Sequence, residues 1–123
     1  MTQPELPFVG LSALECRVYG RLLSLHMGRA KAIRVPDLAV SVGLGERELQ
    51  HVIRALRMKG SRIASTAARP AGYFIPETVE EAEGFKREQY AKALATLQST
   101  AAVLRVNLPD LLGQLRLESE AKA

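Results

Sequence analysis

At 123 residues with a formal charge of +4, the chain has room for one modest core, and its 47% hydrophobic and 24% charged residues match a soluble globular protein rather than a disordered one. No stretch approaches the roughly eighteen apolar residues of a membrane span, and Met1 is not followed by a basic flank and apolar run, so a cytoplasmic protein is expected. Cys16 is the only cysteine, which excludes an internal disulfide framework and a multi-cysteine zinc site.

The charge is unevenly distributed. Residues 1 to 27 hold two basic and two acidic side chains, and residues 73 to 123 hold six basic and eight acidic. Between Gly28 and Gly72 lie nine basic residues (Arg29, Lys31, Arg34, Arg47, Arg54, Arg57, Lys59, Arg62, Arg69) against three acidic ones (Asp37, Glu46, Glu48). A basic centre between neutral and acidic flanks is the electrostatic footprint expected for a polyanion partner, although a solvated basic surface has the same composition.

In chain order, Ser12-x-x-Glu15 has the spacing of a capping box and predicts a helix start. Leu11, Leu14, Val18, Leu22 and Leu25 continue at helical spacing, giving a first helix from about Ser12 to Met27 with Gly28 beyond its end. Ile33 and Val35 alternate within Arg29 to Val35, which predicts a brief edge strand. Pro36 and Asp37 suit the first turn of a second helix ending near Val42, and Gly43-Leu44-Gly45 then predicts a tight turn between helices. A third helix, from Glu46 to Lys59, has Leu49, Val52, Ile53 and Leu56 as its apolar stripe. Ser61 to Pro76 reads as a β-hairpin around Ala68-Arg69-Pro70-Ala71-Gly72.

Thr78 is placed to cap a long helix reaching Leu104, with Glu80, Glu81 and Glu83 matching the positive helix end. Asn107-Leu108-Pro109 breaks it, and Leu111, Leu112 and Leu115 support a short final helix before a polar, frayed tail. The expected class is mainly α with a small β-hairpin, divided into residues 1–76 and a helical extension over 77–123.

The order helix, short strand, helix, tight turn, helix, hairpin resembles the winged helix-turn-helix DNA-binding proteins. The residues that carry the resemblance are Leu38-Ala39, Val42-Gly43-Leu44, Arg47, Leu49, Ile53, Leu56, Lys59-Gly60 and Gly72-Tyr73-Phe74-Ile75-Pro76. The likeness covers roughly Leu11 to Pro76, and the hairpin followed by an acidic-starting helix is similar to small phage and prophage members. The resemblance implies a third helix that enters the major groove, a double-stranded DNA partner, and a role in transcriptional regulation or in replication.

On that reading Arg47, Gln50, His51, Arg54 and Arg57 are candidate contacts on the third helix. Arginine pairs well with guanine and glutamine with adenine in the major groove. Arg62 and Arg69 on the hairpin, and Lys31 and Arg34 before the second helix, are candidate backbone or minor-groove contacts. One departure from the family pattern stands at the start of the third helix, where Gly45-Glu46 replaces the usual Ser or Thr. Glu46 and Glu48 there repel phosphate, which keeps a protein-binding adaptor or inhibitor as the rival reading. Phe85, Tyr90, Leu94 and Leu97 on the long helix are candidate homodimer contacts, since a symmetric dimer presents two reading helices to a palindromic site.

Catalytic and metal sites are not expected. Gly43-x-Gly45 lacks the rest of a phosphate-binding loop, and His26 and His51 lie on different helices without ligand-spaced partners. The glutamates from Glu77 to Glu83 read as a solvated, dipole-matched helix start rather than an acid catalyst. No cofactor is implied.

Overall fold

In the computed structural model, which describes residues 9–122, the elements follow in the order α1 (Ala13–Leu25), a single 3-10 turn (Arg29–Lys31), α2 (Val35–Val42), α3 (Glu46–Met58), β1 (Ala64–Thr66), β2 (Gly72–Phe74), α4 (Val79–Leu104) and α5 (Leu108–Lys122). The protein is mainly helical with one small antiparallel hairpin. Two compact units are present, the first ending at Phe85 and the second beginning at Lys86. That division falls inside α4 rather than at residue 76, because the first turns of α4 are tied to the first unit by Glu81, and the Phe85 ring meets Arg57.

In α1, Ser12 Oγ accepts from the Glu15 backbone N–H at 3.1 Å and the Glu15 carboxylate accepts from the Ser12 N–H at 2.9 Å, which completes the capping box. The same carboxylate pairs with Lys59 Nζ at 2.7 Å, joining the start of α1 to the end of α3. Lys59 and the Ser12 backbone N–H together hold the Glu15 pKa below its ordinary value of 4.5. A carboxylate with a lowered native pKa contributes stability that is complete above its unfolded pKa and is lost as pH falls through the folded one. Stability is therefore expected to decline as pH drops below about 4.5, and Lys59→Met should flatten part of that decline. Acid titration of both proteins by circular dichroism checks this; an unchanged slope in the variant would show that the ion pair does not couple to folding.

The α2–α3 corner is built locally. Val35-Pro36 opens α2 with Pro in the first turn, where its missing N–H costs nothing, and Gly43 closes it in the left-handed region at φ 75°, ψ 34°. Gly45 then caps α3 through an extended backbone, without a side-chain hydrogen bond.

The core of the first unit joins Val18 and Leu22 of α1, Leu38, Ala39 and Val42 of α2, and Leu49, Val52, Ile53 and Leu56 of α3 to Ile63, Tyr73 and Ile75 around the hairpin. Helix α3 supplies its stripe at i, i+3, i+4 and i+7, so one face is sealed inward and the other is left to solvent. Burying each of these aliphatic side chains contributes about 1.5–3 kcal/mol, which fixes the rotation of α3 about its axis.

The hairpin pairs Ala64 with Phe74, Ser65 with Tyr73 and Thr66 with Gly72. The edge strand expected over Arg29 to Val35 is not formed as a strand. Its first half curls into the 3-10 turn, with Lys31 N–H donating to the Gly28 carbonyl, and its end is drawn into the start of α2. What remains is an antiparallel bridge, in which Ile33 and Tyr73 exchange N–H···O bonds of 2.9 and 2.8 Å. A parallel bridge joins Met27 to Ile75 beside it.

Thr78 caps α4 by accepting from the Glu81 N–H at 3.1 Å. In the second unit, Arg105 takes a positive φ of 59° between α4 and α5, and Asn107 Oδ1 accepts from the Asp110 N–H at 2.8 Å to start α5. Helix α5 continues to Lys122, so the polar tail expected to fray is helical, with an Arg116–Glu120 pair at i, i+4 on its surface. Ala101 and Leu111 are buried, whereas Tyr90, Leu94, Val103, Leu104, Leu112, Leu115 and Leu117 are exposed.

Candidate nucleic-acid interface

With Leu49, Val52, Ile53 and Leu56 turned inward, the helical period of about 3.6 residues places Arg47, Gln50, His51 and Arg54 on the opposite face. All four are exposed, and among the described residues none of their side chains is engaged in a hydrogen bond or ion pair. Met58 continues this face and is 83% exposed. Glu46 and Glu48 are exposed in the first turn, one on each flank of the arginine face rather than at its centre. There they favour the positive end of the helix dipole.

Arg57, the fifth candidate on α3, is taken up by the fold. Its Nε donates to the Ile63 carbonyl at 3.0 Å and one terminal nitrogen to Ser65 Oγ at 3.3 Å. The guanidinium also lies over the rings of Tyr73 at 5.7 Å and Phe85 at 5.6 Å. Burial lowers its pKa from the ordinary arginine value, with Tyr73 opposing that shift, and the same burial raises the pKa of the Tyr73 hydroxyl. Arg57 therefore joins α3 to the hairpin and to the start of α4.

The other candidates lie on two further elements. Arg34 is the N-cap residue of α2 and is exposed, as is Lys31 in the 3-10 turn. Arg69 is exposed at the hairpin tip, and Arg62 is exposed before β1. Arg34 and Arg69 share a cleft of about 860 Å³ with His26, Asp37 and Pro70. His26 Nδ1 lies 2.8 Å from the Lys31 carbonyl, so that nitrogen is the donor of the pair.

Arg29, counted among the basic residues but not among the candidate contacts, has a structural role that sequence reasoning missed. Its guanidinium donates to the Pro70 carbonyl at 2.8 Å and the Ala68 carbonyl at 3.0 Å, and it sits 5.9 Å from the centre of the Phe74 ring. Its backbone N–H donates to Glu81 Oε2 at 3.0 Å. One residue thus fixes the loop that carries Arg69 and anchors the first turn of α4. The Glu81 carboxylate also accepts from the Glu77 N–H at 2.7 Å, and these backbone donors, Glu77 first, hold its pKa below the ordinary carboxylate value. Because the acceptors for Arg29 are backbone carbonyls some 40 residues away, no sequence spacing marks it.

Of the nine basic residues between Gly28 and Gly72, Arg29, Arg57 and Lys59 have their charged groups engaged within the fold. The side chains of Lys31, Arg34, Arg47, Arg54, Arg62 and Arg69 have no such partner among the described residues. The unengaged set is spread over α3, the lead into α2 and the hairpin, all within the first unit.

Among the described residues no group of three or more His, Cys, Asp or Glu side chains is placed to hold a metal ion, and no helix is long and apolar enough to cross a membrane. Of the candidate homodimer residues, Phe85 belongs to the first unit, where it meets Arg57. Tyr90 and Leu94 are exposed, with Tyr90 beside Lys86 Nζ at 5.8 Å, and Leu97 is half-buried. A scan against protein-family models and searches of the curated proteins and the solved structures found no match to this chain.

Proposed function

We propose that the chain is a winged helix-turn-helix protein that binds double-stranded DNA, with α3 as the reading helix and the β1–β2 hairpin as the wing. The observation that carries this reading is the outward face of α3. Two arginines, a glutamine and a histidine stand there without intramolecular partners, on a helix offered outward by the short Gly43–Gly45 turn. A helix about 10 to 12 Å across fits the major groove, where those side-chain types find their base-edge partners. Arg34, Lys31, Arg62 and Arg69 supply positive charge for the phosphate backbone, and Arg29 holds the wing tip in place.

The exposed Leu94, Leu104, Leu112 and Leu115 of the second unit, together with Tyr90, support a homodimer formed through the C-terminal helices. A cytoplasmic regulator of phage or mobile-element type, acting as a dimer without a cofactor, fits this arrangement. The test is fluorescence anisotropy with a labelled random duplex. Four to six phosphate contacts would make log affinity fall with log salt at a slope of about −4 to −5, so that affinity drops several-hundredfold between 50 and 200 mM salt. Binding that is absent at low salt, or insensitive to salt, would reject DNA as the partner. The exposed Glu46, Glu48 and Met58 beside the arginine face favour the rival reading of a protein-binding adaptor, which that outcome would support.

A further inference from the structure

We propose that the outward line of α3 reads two guanines followed by a thymine, and that Met58 selects the thymine by its methyl group. This assignment rests on α3 entering the major groove of DNA, and it carries that reading from a class of partner to a pattern of bases. Arg47, His51, Arg54 and Met58 are spaced by four, three and four residues, which keeps them within a narrow arc of the helix, opposite Leu49, Val52, Ile53 and Leu56. All four are exposed.

Attraction to a polyanion accounts for the arginines but not for Met58, the most exposed large hydrophobic side chain among the described residues. Its turn is anchored rather than frayed. The Lys59 N–H donates to the Ala55 carbonyl at 3.1 Å, the Ser61 N–H donates to the Leu56 carbonyl at 3.0 Å, and Lys59 Nζ holds the Glu15 carboxylate of α1 at 2.7 Å. Met58 is thus offered to solvent on a fixed support, in line with the arginines. On the base edges of the major groove the apolar group is the C5-methyl of thymine, and an unbranched, polarizable thioether packs well against it. The donors and acceptors of the other bases would lose water against Met58 without regaining a hydrogen bond.

The spacing along the helix sets the pattern. At a rise of about 1.5 Å per residue, Arg47 and Arg54 stand about 10 Å apart along α3, and Met58 stands about 6 Å beyond Arg54. Base pairs follow at about 3.4 Å, so the two guanines are expected two or three base pairs apart, with the thymine one or two beyond the second.

Duplexes selected by the full chain from a random pool should be enriched in that order of bases. Each thymidine of a selected duplex is then replaced in turn by deoxyuridine, which removes the methyl group and keeps every hydrogen-bonding atom. One replacement, beyond the second guanine, should weaken binding about fourfold, the worth of one buried methyl group. Met58→Ala should bind the thymidine and deoxyuridine duplexes about equally, near the level the parent shows for deoxyuridine, and because Met58 is exposed the variant should keep the parent's unfolding midpoint. Tolerance of deoxyuridine at every position by the parent, or discrimination that survives in Met58→Ala, would overturn the role of Met58 and leave the DNA reading intact. Selected duplexes without the two guanines at that spacing would overturn the base pattern. Failure to bind any duplex at low salt would remove the DNA reading and this assignment with it.

Discussion

Gly72→Ala should cost the protein about 3–5 kcal/mol of folding stability, among the largest effects of any single methyl group in this chain. Gly72 opens β2 at a φ of 123°, a conformation that side-chain-bearing residues rarely adopt. A Cβ there would sit 1.8 Å from the Ile33 carbonyl oxygen and 2.7 Å from the Arg34 backbone nitrogen. Both obstacles are backbone, so no rotamer change relieves them. The chain must instead separate Tyr73 from Ile33 and give up their paired hydrogen bonds, which join the hairpin to the lead into α2. Gly43→Ala supplies the internal comparison. Its φ is also positive at 75° but its Cβ would meet nothing within 4 Å, so a loss of only about 1 kcal/mol is expected. Urea unfolding of both variants reads the difference directly, and similar losses at the two glycines would mean that the Ile33–Tyr73 contact yields easily.

Arg47→Ala and Arg54→Ala are each expected to weaken binding to a selected duplex by about 1–3 kcal/mol, roughly fivefold to 150-fold, with smaller effects on random DNA. Both side chains lie on the exposed face of α3 and neither has a partner within the fold. Truncation should therefore leave stability within about 0.5 kcal/mol of the parent, which separates lost recognition from lost folding. Arg57→Met behaves in the opposite sense, because Arg57 is bound to the Ile63 carbonyl and packed on Tyr73 and Phe85. It should lower the unfolding midpoint before it changes affinity. Selecting bound duplexes from a random pool supplies the cognate site, and anisotropy on cognate and random duplexes then checks each variant. Equal losses on both would make Arg47 and Arg54 phosphate contacts rather than base contacts.

Much of the first unit is written in short-range chemistry. Ser12 and Glu15, three residues apart, set the start of α1, and the Gly43–Gly45 turn sets the α2–α3 corner through backbone conformations that glycine adopts freely. The stripe from Leu49 to Leu56 fixes which face of α3 is buried, and with it the outward placement of Arg47, Gln50, His51 and Arg54. The hairpin span and the start of α4 at Thr78 follow from turn formers and a capping residue. Each of these depends on side chains within about one helical turn or one hairpin loop, which is the range over which sequence spacing has geometric meaning.

Tertiary structure decided the rest, and it did so where partners are distant or are backbone atoms. Nine basic residues between Gly28 and Gly72 look alike in sequence, yet Arg29 is bound to carbonyls at 68 and 70, Lys59 to a carboxylate at 15, and Arg57 between two aromatic rings. The strand expected before α2 contracts to one bridge, because the 3-10 turn and the first turn of α2 claim its neighbours. Glu81, one of several glutamates at a helix start, accepts from the nearby Glu77 N–H and also from the Arg29 N–H, 52 residues away, which only folding brings to it. Sequence determined the elements and the face that α3 exposes. Only the folded chain determined which positive charges remain unpaired on that surface, because Arg29 and Lys59 find their partners 39 to 44 residues away and Arg57 is held by a backbone carbonyl and two rings that no local pattern marks.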